Sequence, residues 1–348
     1  MNFATGENHA DLPQVSDNQC SNCHTVQGEL DFDLSVKGAH TIPTKSREMA
    51  GIQFEILNVA DGAPGKKPTV SFSIKDKDGK PVLPSEMTRL TLQLNGPNTD
   101  FGTQFTEAAL TAQGTNGVYF WTFSQALPDT AKGSYTVGIE GYKNTTLLKG
   151  TKKEQVARDI GPNKLMAFAV TDAKATPRRT IVATAKCNSC HGTLGLHGGT
   201  RNAVENCVVC HNPANLDRRP AADGPQHTIE FKTMIHRMHS GTEQGNPLKI
   251  FGSREYVFDF GYPGRLTTCT QCHVNGSEQL PLPETAAKTN NPASLLGTMM
   301  PETAACLSCH VGKAAAAHAQ VNTSAIGESC STCHGPNGDF SVNKVHAQ

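Results

Sequence analysis

Apolar and polar residues alternate in short runs through the chain between residues 52 and 171. Six runs are rich in Val, Ile, Phe, Tyr or Thr and are bounded by turn residues, as in Asp76-Lys-Asp-Gly79; they span residues 52–57, 69–75, 90–94, 118–123, 135–141 and 165–171. A period of two places successive side chains on opposite faces of a strand. The pattern predicts six or seven antiparallel strands arranged as a β-sandwich or Greek-key barrel.

The sequence on either side of these runs has no such period. After residue 175 it is dominated by Gly, Pro, Asn, Thr and Ala, and one amphipathic stretch at residues 231–239 predicts a helix. A chain of this composition buries too few of its own side chains to form a core. We therefore predict a mixed fold of three parts: residues 1–45, a β-domain at residues 46–172, and a loop-rich, partly helical domain at residues 173–348 whose core is formed by bound groups.

Every cysteine lies in a Cys-x-x-Cys-His motif. The twelve cysteines are Cys20, Cys23, Cys187, Cys190, Cys207, Cys210, Cys269, Cys272, Cys306, Cys309, Cys330 and Cys333, and the histidines that follow the pairs are His24, His191, His211, His273, His310 and His334. Thiols at this spacing attach haem c through thioethers, and the adjacent imidazole binds the iron. Cysteine pairs also build zinc sites and redox-active disulfides, but neither chemistry requires a histidine after every pair. The motifs predict six covalently attached haem c groups.

Eight further histidines lie outside the motifs. Six of them are predicted to give each iron its second imidazole: His40, His197, His236, His239, His318 and His346. His236 and His239 are three residues apart on the predicted helix, so they project from one face and can serve two irons that pack side by side. His197 and His318 are each expected to serve a haem other than the one attached nearest to them.

A repeat relates the two ends of the chain. The motif at Cys20 is followed by His40 much as the motif at Cys330 is followed by His346, so residues 1–45 copy the last quarter of the C-terminal haem domain. From this spacing we expect His40 to bind the iron opposite His24, and His346 to bind the iron opposite His334.

Two histidines are then surplus. His9 lies 11 residues before Cys20, as His318 lies 12 residues before Cys330. It is interpreted either as an exposed terminal histidine or as the ligand of an iron that this chain does not attach. His227 is interpreted as a loop residue or hydrogen-bond partner, and the methionines of residues 231–239 as packing residues.

Charge and hydropathy restrict the function further. The 31 basic and 31 acidic residues balance, so nothing in the polypeptide favours nucleic acid or an anionic membrane surface, although haem propionates would make the loaded protein acidic. No apolar stretch approaches the roughly 20 residues of a membrane span, and residues 1–10 lack the features of a signal peptide. Since haem c is attached outside the cytoplasm, we expect the protein to be exported.

No catalytic constellation stands out in the sequence. There is no cysteine outside the motifs and no Gly-rich phosphate-binding loop. Twelve imidazoles for six irons would leave no open coordination position, and such irons transfer electrons without binding substrate. The alternatives are a conduit that relays electrons between protein partners and a reductase with one open haem.

Three segments carry a resemblance to a known family. Cys187-Asn-Ser-Cys-His-Gly-Thr-Leu-Gly-Leu-His-Gly198, Asn206-Cys-Val-Val-Cys-His-Asn-Pro213 and Phe231-Lys-Thr-Met-Ile-His-Arg-Met-His-Ser-Gly241 resemble the pentahaem module of the OmcA/MtrC family of outer-membrane decahaem cytochromes. The likeness covers essentially the whole chain, which is similar to the C-terminal half of these proteins with the last haem of the first module retained.

The resemblance implies bis-histidine haems in a staggered chain and a location on the outer face of the outer membrane. It also implies electron delivery to ferric or manganic minerals, chelated iron, flavins or humics, with other multihaem cytochromes or a porin–cytochrome complex as partners. The chain differs from the family in attaching six haems where ten are usual. It also lacks the cysteine pair that some relatives carry in the β-domain, so thiol-gated flavin binding is not expected there.

Overall fold

In the computed structural model, which describes residues 1–14 and 16–347, the alternating runs form strands of two antiparallel sheets. The nine strands described there are β1 (Gln53–Ala60), β2 (Thr69–Lys75), β3 (Arg89–Gly96), β4 (Thr103–Ala108), β5 (Gln113–Thr115), β6 (Val118–Thr122), β7 (Ser134–Leu147), β8 (Gln155–Ile160) and β9 (Lys164–Ala169). Six of them overlap the predicted runs. The sequence pattern missed β4, β5 and β8, in which polar and apolar residues do not alternate clearly.

The two sheets pack face to face. One has the strand order β1-β2-β6-β5; the other has the order β4-β3-β7-β8, and β9 also pairs with β7. Strand β7 is 14 residues long because its first half pairs with β9 and its second half with β8. Between the sheets, Phe72 and Leu92 are fully buried in one apolar cluster. The prediction of a β-rich domain joined to a loop-rich, partly helical domain is confirmed.

The outer face of the second sheet is covered as well. All residues of β3 after Arg89 are buried, including the polar Gln93 and Asn95. This face packs against the C-terminal part of the chain through a small apolar cluster that contains Phe101 and Val209. The sheet therefore serves as a platform for that region.

The C-terminal part contains short helices and two-stranded ribbons joined by loops. The helices are α1 (Val36–His40) near the N-terminus, then α2 (Thr184–His191), α3 (Val204–Cys210), α4 (Phe231–Ser240), α5 (Pro301–Leu307), α6 (Lys313–Val321), α7 (Ser331–His334) and α8 (Val342–Val345). The ribbons pair β10 (Leu248–Phe251) with β11 (Glu255–Phe258), β12 (Thr289–Asn290) with β13 (Thr298–Met299), and β14 (Thr323–Ser324) with β15 (Gly327–Glu328). Helix α4 confirms the helix predicted at residues 231–239. Among the described residues, none forms a helix long and apolar enough to cross a membrane.

Asp100 connects the β-domain to the C-terminal part. Its carboxylate pairs with Arg178 and Arg179, each at 3.0 Å, and accepts a hydrogen bond from the Ala287 N–H at 3.1 Å. Burial by itself would raise the pKa of Asp100, but the two guanidinium groups and this N–H outweigh burial and lower that pKa below its ordinary value. Asp100 is therefore ionised in the folded protein and stabilises the contact.

Residues 32–52 pack along the edge of the same sheet. The Asp159 carboxylate of β8 accepts hydrogen bonds from the Gly51 and Ile52 N–H groups at 2.7 and 3.2 Å. Phe32 packs on the small apolar cluster that Met49 and Leu147 form. The first Cys-x-x-Cys-His motif is thus attached to the β-domain on the side of β8.

Candidate functional site

Each Cys-x-x-Cys-His motif forms about one helical turn. In the motifs that begin at Cys20, Cys207, Cys269, Cys306 and Cys330, the histidine N–H donates to the carbonyl of the first cysteine at 2.9 to 3.0 Å. The motif at Cys187 lies within α2. Residues i, i+3 and i+4 share one face of a helix, so each motif directs two thiols and one imidazole to the same side. This is the arrangement that thioether attachment and iron ligation require together.

Twelve of the fourteen histidines form six facing pairs. Every pair joins one motif histidine to one histidine from outside the motifs. The pairs and the distances between their ring centroids are His9 with His24 (6.1 Å), His191 with His239 (6.3 Å), His197 with His211 (6.1 Å), His236 with His273 (6.1 Å), His310 with His346 (6.2 Å) and His318 with His334 (6.2 Å).

These distances fit a metal ion placed between two imidazoles. Two Nε2 atoms that bind one metal at about 2 Å each lie about 4 Å apart, and each ring centroid lies roughly 1.1 Å behind its Nε2, so the centroids should be about 6.2 Å apart. The observed range is 6.1 to 6.3 Å. Ordinary stacking of two rings has no reason to give this value six times, each time with one motif histidine.

The Nδ1 atoms of most paired histidines are anchored to protein groups. In the described residues, backbone carbonyls at 2.7 to 3.0 Å anchor His9, His24, His211, His239, His334 and His346, and serine hydroxyls at 3.1 to 3.2 Å anchor His236 and His273. A hydrogen bond at Nδ1 orients the ring and leaves the Nε2 lone pair for a metal. Burial lowers the pKa of His211 and of His236 to about 4, so both imidazoles are neutral at neutral pH.

Helix α4 contributes histidines to two neighbouring pairs. His236 faces His273, and His239 faces His191. The Glu230 carboxylate caps the helix by accepting a hydrogen bond from the Thr233 N–H. The spacing of three residues thus brings the attachment sites at Cys187 and Cys269 side by side, as predicted for two histidines that share one helix face.

Two of the predicted pairings were wrong. The structure places His9 opposite His24 and leaves His40 without a facing imidazole among the described residues, and it places His346 opposite His310, where the repeat had suggested His334. The reason is local: the His24 Nδ1 bonds to the Leu34 carbonyl at 2.7 Å, so the segment that leads to His40 lies behind the ring and away from Nε2.

The His334 ring is held in the same way. Its Nδ1 bonds to the Phe340 carbonyl at 2.9 Å, which keeps the segment that leads to His346 behind it, and His318 faces it from the other side. His9 was missed as a partner of His24, although its position before Cys20 matches that of His318 before Cys330. His227 faces no other imidazole in the described residues.

The free thiols of one motif affect the pKa of thiols in a neighbouring motif. Burial raises the pKa of the four thiols concerned, and the charge of a cysteine from another motif raises each further: Cys272 acts on Cys187, Cys187 on Cys207, Cys309 on Cys269 and Cys306 on Cys330. The facing pairs and their hydrogen bonds show which sites are neighbours. His197, six residues after His191, faces His211, and helix α4 serves the sites at Cys187 and Cys269. His236 bonds to Ser308 of the motif at Cys306, and His346, which follows the motif at Cys330, faces His310. The C-terminal attachment sites therefore follow one another in the order Cys207, Cys187, Cys269, Cys306 and Cys330.

The site at Cys207 and Cys210 lies against the β-domain. The Gln104 side chain of β4 donates to the Cys210 sulfur at 2.9 Å. Asn206, next to Cys207, donates to the Glu140 carboxylate of β7 at 3.0 Å. This attachment site is thus in direct contact with the second sheet.

Comparisons with known proteins all find cytochromes. Residues 179–347 match the model of a family described as outer membrane cytochrome MtrC/MtrF-like, domains II/IV. The chain is 26% identical over 258 residues to the multiheme cytochrome MtrC of Shewanella baltica, covering 66% of this chain and 37% of that protein. It is also 26% identical over 211 residues to the high-molecular-weight cytochrome c of Nitratidesulfovibrio vulgaris, covering 56% of this chain and 34% of that protein.

Two solved structures share the fold. The crystal structure of MtrC from Shewanella baltica matches with a TM-score of 0.59 at 18% identity, covering 98% of this chain and 60% of that one. The outer membrane decaheme cytochrome OmcA matches with a TM-score of 0.52 at 17% identity, covering 86% and 48%. The chain therefore spans a little over a third of the sequence relatives and about half of the structural ones.

Proposed function

The chain belongs to the OmcA/MtrC family of outer-membrane multihaem cytochromes, and from this premise we propose that it carries six haem c groups and transfers electrons to extracellular acceptors. The observation that carries the proposal is the set of six imidazole pairs with centroids 6.1 to 6.3 Å apart. Each pair contains one histidine of a Cys-x-x-Cys-His motif, so the number of pairs equals the number of attachment motifs.

The residues of each site have separate roles. When bound, haem c supplies an iron that takes up and releases one electron. The two thiols of a motif would hold the porphyrin covalently, and the two facing imidazoles would bind its iron. Anchored Nδ1 atoms keep the rings oriented during a change of iron charge. With two protein imidazoles for each iron, the sites would be suited to electron transfer without substrate ligation.

The spatial order of the attachment sites supports a relay through the C-terminal part of the chain. Helix α4 holds one ligand of each of two adjacent sites, which fixes their separation. The bond from His236 to Ser308 and the pairing of His346 with His310 connect this pair of sites to those at Cys306 and Cys330. At the other end, His197 connects the site at Cys187 to the site at Cys207, which lies against the β-domain. Electrons could thus enter at one site and leave at another without a change of fold.

We place the protein on the outer face of the outer membrane. The proposed acceptors are ferric or manganic minerals, chelated iron, flavins and humics, and the proposed partners are other multihaem cytochromes or a porin–cytochrome complex. These acceptors share little chemistry except the ability to take up single electrons. A surface that exposes porphyrin edges does not need a specific binding pocket for any of them.

Mass spectrometry and stopped-flow spectroscopy test this function. The intact mass should correspond to six covalent haems per chain, and the ferric spectrum should be entirely low-spin. Fully reduced protein should then be oxidised by soluble ferric chelate or by flavin within seconds. Oxidation by a partner cytochrome but not by chelate or flavin would instead identify a conduit, and a high-spin fraction in the purified protein would identify a reductase with one open haem.

A further inference from the structure

The six attachment sites differ in burial and in the charged side chains beside them. Resting on the haem chemistry proposed above, we propose that the haem on Cys207 and Cys210 has the highest reduction potential of the six, and that the charge of Arg201 raises it. Electrons would then collect at the site that lies against the β-domain. Haem propionates are common to all six sites, so a difference in potential depends on the protein groups at each site.

Arg201 lies beside this attachment site. Its backbone pairs with that of Leu196, the residue before His197, through hydrogen bonds of 2.9 and 3.2 Å. Its guanidinium group donates to the Glu140 carboxylate at 3.1 and 3.3 Å. Asn206, which precedes the first cysteine of the motif, donates to the same carboxylate at 3.0 Å. The guanidinium group is therefore held between the loop that carries one imidazole of the pair and the helix that carries both thiols.

The buried charges at this site leave an excess of positive charge. Arg89 and Arg201 both pair with Glu140, at 3.0 and 3.1 Å, so two guanidinium groups face one carboxylate. Glu205 is exposed, so water and salt screen its charge. The Arg201 side chain is only 20% exposed, which limits the screening of its own charge. Reduction adds an electron to the iron, and a nearby positive charge therefore favours the reduced form.

Burial acts in the same direction. Cys207 is buried, whereas the other eleven motif cysteines are half-buried or exposed, and Cys20 and Cys23 at the N-terminal site are both exposed. The ferric form carries one more positive charge than the ferrous form, and burial disfavours charge. Burial and the excess positive charge thus both raise the reduction potential at this site.

Two carboxylates lie near the site at the other end of the C-terminal order. Glu328 lies two residues before Cys330, and its carboxylate accepts hydrogen bonds from the Glu302 and Thr303 N–H groups at 2.8 and 2.6 Å. The Glu302 carboxylate accepts one from the Leu282 N–H at 3.0 Å. In the part of the chain that the structure describes, neither carboxylate takes part in an ion pair. Negative charge disfavours an added electron, so the potential should be lower at this end.

The expected size of the effect follows from Coulomb's law. A unit charge about 10 Å from an iron, at an effective dielectric constant of about 20, changes the equilibrium constant for reduction about tenfold. For a one-electron couple, a tenfold change corresponds to about 59 mV. Loss of the Arg201 charge should therefore lower the potential of this haem by about that amount.

A spectroelectrochemical titration of the six-haem protein tests the role of Arg201. Arg201→Gln should lower the highest-potential component about tenfold in its reduction equilibrium, whereas Arg201→Lys, which keeps the charge, should retain most of it. Glu140→Gln removes the negative charge of the same ion pair and should raise this component. A purely structural role predicts another result, because a loosened contact admits water and lowers the potential in both Arg201→Gln and Glu140→Gln.

Two further variants complete the test. Arg158→Gln is the matched control, because Arg158 is exposed and donates to the Gly198 carbonyl of the same loop at 2.9 Å; it should leave the highest-potential component unchanged. His197→Ala opens the iron at His211 and should remove that component from the low-spin titration. The proposal is overturned if Arg201→Gln leaves the component unchanged, if Arg201→Gln and Glu140→Gln shift it in the same direction, or if His197→Ala leaves it in place.

Failure of this proposal is distinguishable from failure of the proposed function. Unchanged potentials in Arg201→Gln would refute the inference and leave electron transfer by six haems intact. Reduced wild-type protein that neither ferric chelate nor flavin oxidises would refute the proposed acceptors, whereas the order of the potentials would stand.

Discussion

Glu140 is a buried carboxylate at the contact between the β-domain and the haem-binding part of the chain. Its side chain is fully buried and pairs with Arg89 at 3.0 Å and with Arg201 at 3.1 Å. Asn206 of α3 donates to it at 3.0 Å. We predict that Glu140→Gln, which keeps the shape but removes the charge, loosens this contact.

The size of the expected loss of stability depends on the two arginines that Glu140→Gln leaves without a carboxylate partner. The Arg89 side chain is 42% exposed and can regain water, whereas the Arg201 side chain is only 20% exposed and cannot do so without local opening. Removing one partner of a buried ion pair costs about 3–5 kcal/mol, and the hydrogen bonds that the substituted amide side chain retains recover part of that loss. We expect a loss of about 3 kcal/mol in the free energy that opposes opening of the contact, which is roughly a hundredfold change in the opening equilibrium.

Hydrogen exchange measures this change directly. The amides of α3 and of the middle of β7 should exchange up to about a hundredfold faster in Glu140→Gln, provided they exchange through this opening. Glu86→Gln is the matched control, because Glu86 pairs with Lys143 at 2.7 Å but is 43% exposed, so its pair should contribute less than about 1 kcal/mol. Exchange in Glu140→Gln no faster than in Glu86→Gln would refute the reasoning.

Three further predictions concern one side chain each. His318→Ala should make one of the six haems high-spin by electron paramagnetic resonance, and an unchanged spectrum would contradict the pairing with His334. The pKa of Asp100 is lowered in the folded protein, so the ionised carboxylate stabilises the fold fully above about pH 4, and this contribution is lost as the pH falls through the folded pKa. The denaturant midpoints of Asp100→Asn and wild type should therefore differ at pH 7 and converge in stronger acid. Gly96→Ala should lower stability by about 1–3 kcal/mol because its Cβ would lie 2.1 Å from the Tyr135 ring, whereas Gly102→Ala meets no atom within 4 Å and should be nearly neutral in thermal unfolding.

The sequence correctly predicted the strands and the helix that have the strongest local patterns. Strand β2 coincides with its predicted run, and α4 extends the predicted helix by one residue. Strand β8 was missed because its burial does not follow its hydrophobicity: the polar Asp159 is buried, whereas Val156 is 65% exposed. It also pairs with the second half of β7, a strand that the pattern had ended near Gly141. Strand β7 continues past Gly141 because a second partner is available, and a single sequence does not show how many partners a strand has.

The sequence was less informative about which histidines face each other. Spacing correctly related His40 to His346 and His9 to His318, because equivalent segments keep equivalent local geometry. It did not reveal the irons that they serve, since ligand pairing joins segments that are distant in sequence and depends on how the loops cross. His191 and His239 are such a case.

The hydrogen bond at the motif histidine explains the pairing at both ends of the chain. A histidine that binds iron through Nε2 points its Nδ1 in the opposite direction, so whatever segment accepts the Nδ1 proton must lie behind the ring. When the acceptor is the chain just downstream, as at His24 and His334, the next residues form a short helix that rises only about 1.5 Å per residue. The histidine at the end of that helix therefore does not reach the far side of the same motif histidine. The second ligand must come from upstream, as His9 and His318 do, and the downstream histidine becomes available to a neighbouring iron. A motif histidine that bonds the carbonyl just downstream therefore takes its partner from upstream and leaves the downstream histidine to a neighbouring site, as His346 faces His310.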